Sequence, residues 1–213
     1  MKTNNNSDNI LFNKIKSKDI LKNILNNLSK KKFLELIKYN KQFQNTLEIT
    51  IEDYKKFAQI EIELYPAENV YGKFINIKKE DEYCFHIYFN DNKEEKKINT
   101  ISSFDNIQKI KIIIDNEFKS ISGLFKDCET IKKINFINFT NKDILNMNYM
   151  FYGCTNLKEL LFSKFKTDKV INMRYMFYNC CSLTELNLSN FNTYNVTDMN
   201  NMFGYCSKIK QLI

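Results

Sequence analysis

From Ile121 onward the chain repeats itself, and no other feature limits its fold so tightly. Three copies of 26 residues, Ile121–Asn146, Met147–Asn172 and Met173–Asp198, align without a gap, and a fourth begins at Met199. Cys128, Cys154, Cys180 and Cys206 mark the register, as do Phe125, Phe151, Phe177 and Phe203. Ile131, Leu157, Leu183 and Ile209 keep the same spacing, followed by Ile134, Leu160, Leu186 and Leu212. A fixed period of this length means units that stack, because one unit is too short to bury its own apolar face.

Within the third copy, Met173, Met176, Phe177 and Cys180 fall at i, i+3, i+4 and i+7. That spacing predicts one apolar stripe of a short α-helix, with Arg174, Tyr175, Tyr178 and Asn179 facing outward. Leu183-x-x-Leu186-x-Leu188 then alternates as a strand with one buried side. A polar loop follows, pegged by Phe191 and Val196. Asp198 stands before the next helix, as Asn146 and Asn172 do in earlier copies, where a short oxygen side chain accepts an unpaired N–H. Each copy therefore reads as strand, loop, cap and helix, and stacking sets neighbouring strands about 4.8 Å apart.

The run Met173-x-x-Met-Phe-x-x-Cys-x-x-Leu-x-x-Leu-x-Leu-x-x-Phe-x-Thr-x-x-Val-Thr-Asp198 resembles the BspA-like leucine-rich repeat. The resemblance implies a leucine-rich-repeat solenoid over 107–213, used for binding other molecules, and implies no reaction. Relatives sit on cell surfaces. The amino terminus here, however, lacks the apolar run and small-residue cleavage site of a secretory signal. The expectation is a cytoplasmic protein with reduced thiols. No stretch approaches 18 consecutive apolar residues, so no membrane span is expected.

The rest of the chain divides by period. Residues 1–16 read as a polar, flexible tail. Residues 17–65 carry helical spacing: Ile20, Leu21, Ile24, Leu25 and Leu28, then Phe33, Leu34, Leu36 and Ile37, then Tyr54, Phe57, Ile60 and Leu64 up to the sole proline, Pro66. Asp19-Ile-Leu-x-x-Ile-Leu-x-x-Leu28 with Leu34, Leu36, Ile37 and Phe43 resembles the F-box. That resemblance implies docking on a Skp1-like adaptor of a ubiquitin ligase, although Ser17-Lys18 stand where the family has Leu-Pro. An amphipathic cap over the first repeat explains the same residues. Residues 66–106 change to period two, with strands at Tyr71–Ile77 and Tyr83–Phe89, a turn at 90–93 and a return strand at 97–101. Ile107, Ile110 and Ile112 read as a degenerate first repeat. The expected fold class is thus α+β: short helices and a small antiparallel β segment leading into a solenoid of strand-loop-helix repeats.

Chemistry-bearing motifs are few. One cysteine per stacked copy spreads four sulfurs over about 14 Å, whereas zinc draws all its ligands to one point. Small buried thiols are the expected reading, with Cys181 nearer the surface and Cys84 in the β segment. His86 has no second ligand in view, and no nucleophile elbow, phosphate loop or CxxC is present. No enzyme activity, metal or cofactor is expected. The outward columns of the repeat sheet, Lys133, Glu159 and Glu185 beside Asn135, Leu161 and Asn187, switch charge along the stack. A nucleic-acid groove keeps one sign, so a polypeptide partner fits better, despite a formal net charge of +7. Tyr149, Tyr152, Tyr175 and Tyr178 form two further rows, on the helical side, and exposed aromatics anchor interfaces. The expected function is a non-catalytic protein-interaction module, or alternatively an F-box-type substrate adaptor. Leu212-Ile213 write an apolar edge strand that invites pairing with another chain: the expectation is edge-to-edge self-association through the C-terminal repeat, or else that the chain is a piece of a longer array.

Overall fold

The computed structural model describes residues 44–45, 59–115, 118, 120–139, 144–163 and 165–213. The chain divides into two units, Met1–Phe57 and Ala58–Ile213. The expected tail and the F-box-like stretch lie outside the described residues, and every described strand belongs to the second unit. Helix among the described residues is confined to 44–45 and one 3-10 helix, Lys79–Cys84. Among them no helix is long and apolar enough to cross a membrane.

The main element is a six-stranded mixed sheet. Its strands are β1 (Ile60–Pro66), β3 (Phe85–Phe89), β4 (Glu95–Lys96), β6 (Ile110–Ile114), β7 (Ile131–Asn138) and β8 (Glu159–Phe162), in the order β4-β3-β6-β1-β7-β8. Only the β7–β8 pair is parallel. Two small ladders complete the strands: β2 (Gly72–Lys73) with β5 (Thr100–Ile101), antiparallel, and β9 (Glu185–Leu186) with β10 (Gln211–Leu212), parallel.

β1 sits at the centre because its sequence, Ile-Glu-Ile-Glu-Leu-Tyr-Pro, alternates strictly. Ile60, Ile62 and Leu64 are fully buried. Glu61 and Glu63 face out against lysines on the β6 side, Lys111 meeting Glu61 at 2.6 Å and Lys109 meeting Glu63 at 3.6 Å, and against Asn138 and Asn135 of β7. Opposite charges and neutral amides on the two sides avoid the like-charge repulsion that acidic neighbours would bring. The helical reading of Ile60 and Leu64 is therefore corrected, since Ile62 makes the period two. The degenerate first repeat is corrected as well. β6 pairs antiparallel with β1 and β3, and β1 stands between it and β7. The hairpin turn is where expected. Asn90 and Asp91 both take positive φ, and Asn92 N–H bonds back to Phe89 O at 2.9 Å. The return strand begins at Glu95, however, two residues before the expected position.

The larger correction concerns the repeats. The Met-x-x-Met-Phe-x-x-Cys run is not helical. It is a succession of turns in which alternate N–H groups point in different directions. In the second copy, Met150, Tyr152 and Cys154 donate to the carbonyls of Met147, Tyr149 and Phe151, three residues back. The intervening Met147, Tyr149, Phe151 and Gly153 donate to Asn172, Arg174, Met176 and Tyr178, each 25 residues ahead in the next copy. Two left-handed positions per copy force this path: Gly123, Tyr149, Tyr175 and Asn201 in one slot, Asp127, Gly153, Asn179 and Tyr205 in the other, all with positive φ. An α-helix does not tolerate such residues in its interior. With turns in place of helices, and a mixed sheet with an antiparallel strand through its middle, the fold is not the α+β leucine-rich-repeat solenoid that the periodicity predicts.

The copies nonetheless lie against one another in 26-residue register. β7 pairs with β8 as Lys133 with Glu159, β9 with β10 as Glu185 with Gln211, and isolated parallel bridges join Phe139 to Phe165 and Asn146 to Asn172 to Asp198. Phe125, Phe151, Phe177 and Phe203 form one stacked column with centroids 5.7, 5.4 and 5.5 Å apart. Phe139, Phe165 and Phe191 form a second. Asn146, Asn172 and Asp198 accept the N–H two residues on, as side-chain turns rather than helix caps.

The first copy has no predecessor, and one residue stands in for it. Asn76 N–H donates to Leu124 O at 2.8 Å, and its Nδ2 donates to Lys126 O at 2.7 Å and Gly123 O at 3.1 Å. The matching carbonyls of the second copy, Met150 O and Tyr152 O, take their bonds from Phe125 and Asp127. Asn76→Asp replaces a donor with an acceptor facing carbonyls, and an unpaired group there costs about 1–3 kcal/mol. Denaturant unfolding is expected to show that loss, with Asn76→Ala nearer the lower figure. Phe177, fully buried, is expected to cost about 3–5 kcal/mol on truncation to alanine, far more than the half-buried Tyr178; equal losses in a thermal melt would contradict this inward and outward assignment.

Candidate interaction surface

The turn run of each copy lays two tyrosines on the outside of the stack. Tyr149 stacks on Tyr175 with centroids 5.1 Å apart and planes 16° apart, and Tyr152 on Tyr178 at 5.0 Å and 4°. Tyr175 and Tyr178 meet edge to face at 5.2 Å, so the two rows form one cluster. Tyr205 extends it, edge to face with Tyr178 at 5.1 Å. Lys126 Nζ lies over Tyr149 and Tyr152 at 5.5 and 5.2 Å, and the Arg174 guanidinium over Tyr175 at 5.0 Å. With ring faces covered by neighbouring rings and cations, edges and hydroxyls remain for contact. The four inner tyrosines are half-buried, while Tyr205 is 73% exposed.

The electrostatics of the cluster are uneven. The Arg174 side chain, and secondly Asn201, whose Nδ2 donates to the hydroxyl at 3.2 Å, lower the pKa of Tyr175. Desolvation among neighbouring rings raises that of Tyr178. Gly204 makes room for this ring: a Cβ there would come within 2.7 and 2.8 Å of Tyr178 Cδ2 and Cε2. Sequence reading placed Tyr149, Tyr152, Tyr175 and Tyr178 in rows but missed Tyr205, Lys126 and Arg174. Tyr205 occupies the column of Asp127, Gly153 and Asn179, so the period gave no aromatic signal for it.

The sheet-face candidates separate into two groups. Lys133, Asn135, Glu159 and Leu161 lie together on β7 and β8, opposite Tyr65 and Glu63 of β1. Much of this face is internally paired: Lys133 Nζ meets Glu159 Oε1 at 2.9 Å and lies 5.5 Å from the Tyr65 ring centroid. Asn135 Oδ1 is enclosed and has no hydrogen-bond partner among the described residues. Glu185 belongs to the separate β9–β10 ladder, and Asn187 follows β9 directly, its Oδ1 accepting the Ser189 N–H at 2.9 Å.

None of the six cysteines is in a disulfide. Cys154, Cys180 and Cys206 each donate to the carbonyl of the phenylalanine one copy back, Phe125, Phe151 and Phe177, at 3.0, 3.1 and 2.9 Å. Burial pushes the Cys128 thiol up to about 12 and raises Cys154 and Cys180 as well. Cys84 is buried at the end of the 3-10 helix, whereas Cys181 is half-exposed. His86, half-buried, stands between Glu95 at 3.2 Å and Asp115 at 3.3 Å. Lys97, and more weakly His86, keep the Glu95 carboxyl below its ordinary range.

Residues 119–213 match the family described as "Mycoplasma protein of unknown function, DUF285", over a little under half of the chain. The match begins where the copies begin. The family found is neither a leucine-rich-repeat nor an F-box family, so both resemblances drawn from the sequence are corrected. No curated protein and no solved structure matches the chain.

The thiol column makes stability depend on alkaline pH. A folded thiol that holds its proton above the ordinary value of 9.0 contributes stability in full below that value. The contribution is lost as pH rises, because the unfolded chain ionises first. Urea midpoints are expected to stay level up to about pH 9 and then fall, with a shallower fall in Cys154→Ala than in the parent protein.

Proposed function

We propose that the Ala58–Ile213 unit is a non-catalytic protein-interaction module that binds a polypeptide partner through its tyrosine cluster. The observation that carries this reading is the backbone beneath the rings. Tyr149, Tyr175 and Tyr205 hold φ values of 56°, 54° and 58°, in slots that Gly123, Gly153 or Asn179 fill in other copies. A bulky residue there costs of order 1–3 kcal/mol, so the fold by itself favours glycine or asparagine. Tyrosine in those places instead supplies rigid, amphipathic contact area at low conformational cost, with Lys126 and Arg174 beside it for acidic or carbonyl groups. The sheet face, which switches from basic Lys133 to acidic Glu159 and Glu185, does not favour nucleic acid, which demands one sign. A cytoplasmic, reducing setting goes with this reading, since the half-exposed Cys181 stays a thiol there.

The test compares proteins captured from the native cell by the parent chain, by Tyr152→Ser/Tyr178→Ser, by Gly204→Ala and by Leu161→Ala on the sheet face. The tyrosine pair and Gly204→Ala, which displaces Tyr178 without removing it, are expected to lose about tenfold or more of the captured partner while melting as folded proteins. Leu161→Ala is expected to retain it. Equal capture by all four, or loss confined to Leu161→Ala, rejects the tyrosine surface.

A further inference from the structure

One imidazole ties the β4 side of the main sheet together. β4 is an edge strand of two residues, Glu95–Lys96, and in the sheet it pairs with β3 alone. His86, the sole histidine of the chain, alternates along β3 with the buried Phe85 and Ile87 and so lies on the outer face. Its Nδ1 is 3.2 Å from Glu95 Oε1 on one side, and its Nε2 is 3.3 Å from Asp115 Oδ2, just past the end of β6, on the other. Each carboxylate is also fixed by a second donor: Lys97 Nζ bonds Glu95 Oε1, and Gln59 Nε2 donates to Asp115 Oδ1 at 2.8 Å. A neutral imidazole has a single N–H, so it satisfies one carboxylate and turns a lone pair on the other. The imidazolium donates to both. The contact therefore closes only with one proton more than a neutral ring and two carboxylates carry. The other charged groups of this face, among the described residues, are matched elsewhere: Lys111 of β6 with Glu61 of β1, and Lys109 with Glu63 and Asp91. Tyr88 is the next outward residue of β3, and Glu94 pairs with Lys96 at 2.8 Å.

We infer that His86 is a pH-operated latch on β4: protonated, it clamps the edge strand toward β6 across β3, and on losing its proton it lets the strand go. Two carboxylates favour the charged ring. The clamp is therefore present at low pH and is lost as pH rises through the range in which histidine titrates, about 5 to 8. Lys97 first, and His86 more weakly, keep the Glu95 carboxyl below its ordinary range, so the acceptor stays ionised throughout. β4 has few other ties, its ladder being Ile87 with Lys96 and Tyr88 with Glu95. Release does more than free two residues. It uncovers the backbone edge of β3, and it loosens one wall of a cavity of about 100 Å³ that Lys96, Lys97 and Ile98 enclose with Ile77, Phe85 and Ile87. The latch shares no residue with the tyrosine cluster, so either proposal can fail without the other.

The test is NMR on the full chain between about pH 5 and 8, where one histidine gives one set of ring signals. Two quantities are followed together: the protonation of the His86 ring, and the exchange protection of the β3–β4 amides, corrected for the pH dependence of free amides. As the ring loses its proton, that protection is expected to fall by about tenfold, while the amides of β1 stay protected and show that the fold persists. Glu95→Gln and Asp115→Asn are each expected to move the ring titration to lower pH, since each removes a charge that favours the imidazolium. His86→Gln is expected to leave β3–β4 protection independent of pH across the range. The inference is overturned if the ring titrates with no change in β3–β4 protection, if the fall in protection persists in His86→Gln, or if both carboxylate variants leave the titration where it was. A ring already neutral at the acid end, with β4 still protected, overturns it too.

Discussion

Eleven backbone N–H groups of the described turn runs, from Gly123 to Asn179, each donate to a carbonyl 25 residues ahead, and the rest of the repeat region depends on that ladder. Each bond contributes only about 1 kcal/mol net, but together they set the register at which everything else must meet. Once Phe125 N–H is bonded to Met150 O, the rings of Phe125 and Phe151 fall at stacking distance. The Cys154 thiol then comes to lie against Phe125 O. The strand ladder is less continuous: β7 pairs with β8 and β9 with β10, but β8 and β9 belong to different sheets. Across that junction the turns still connect, through Tyr149, Phe151 and Gly153. The turns, more than the strands, carry the stack.

A ladder whose donors all point one way has two unlike ends. At the first copy, free carbonyls are the problem, and Asn76 answers it with a backbone and a side-chain donor. In the fourth, Met199, Asn201, Phe203 and Tyr205 N–H have no acceptor among the described residues. The strands β1 to β6 reinforce the first end only, with β1 bonded along β7. Repeat geometry thus yields one end closed by Asn76 and a lateral surface, where the tyrosines of successive turn runs accumulate into a cluster.

Helical spacing misled because the inside of a helix and the inside of a turn run select the same side chains. Met147, Met150, Phe151 and Cys154 are buried, as an i, i+3, i+4, i+7 stripe requires. What differs is the route of the backbone bonds, and apolar periodicity carries no information about that. The signal was present in Gly123, Gly153, Asn179 and Asn201, residues suited to left-handed backbone and placed where a helix interior tolerates them poorly. The tyrosines in the same slots obscured it. For β1 the reverse held: counting Ile60 and Leu64 at helical spacing passed over Ile62, whose alternation with two glutamates was plain.

By itself the sequence determined the period, the register of the copies and the identity of the inward column, because identical spacing leaves only one way for like residues to meet. It also specified the tyrosine rows, since outward positions repeat with inward ones. Only the tertiary structure decided that β1, from outside the repeats, would lie between β6 and β7, that Asn76 would close the stack, and that Tyr205, Lys126 and Arg174 would join the aromatic cluster. The β1 and Asn76 contacts unite residues tens of positions apart under no common period. Their partners are chosen by charge, hydrogen-bond polarity and space, quantities that exist only once the chain is folded.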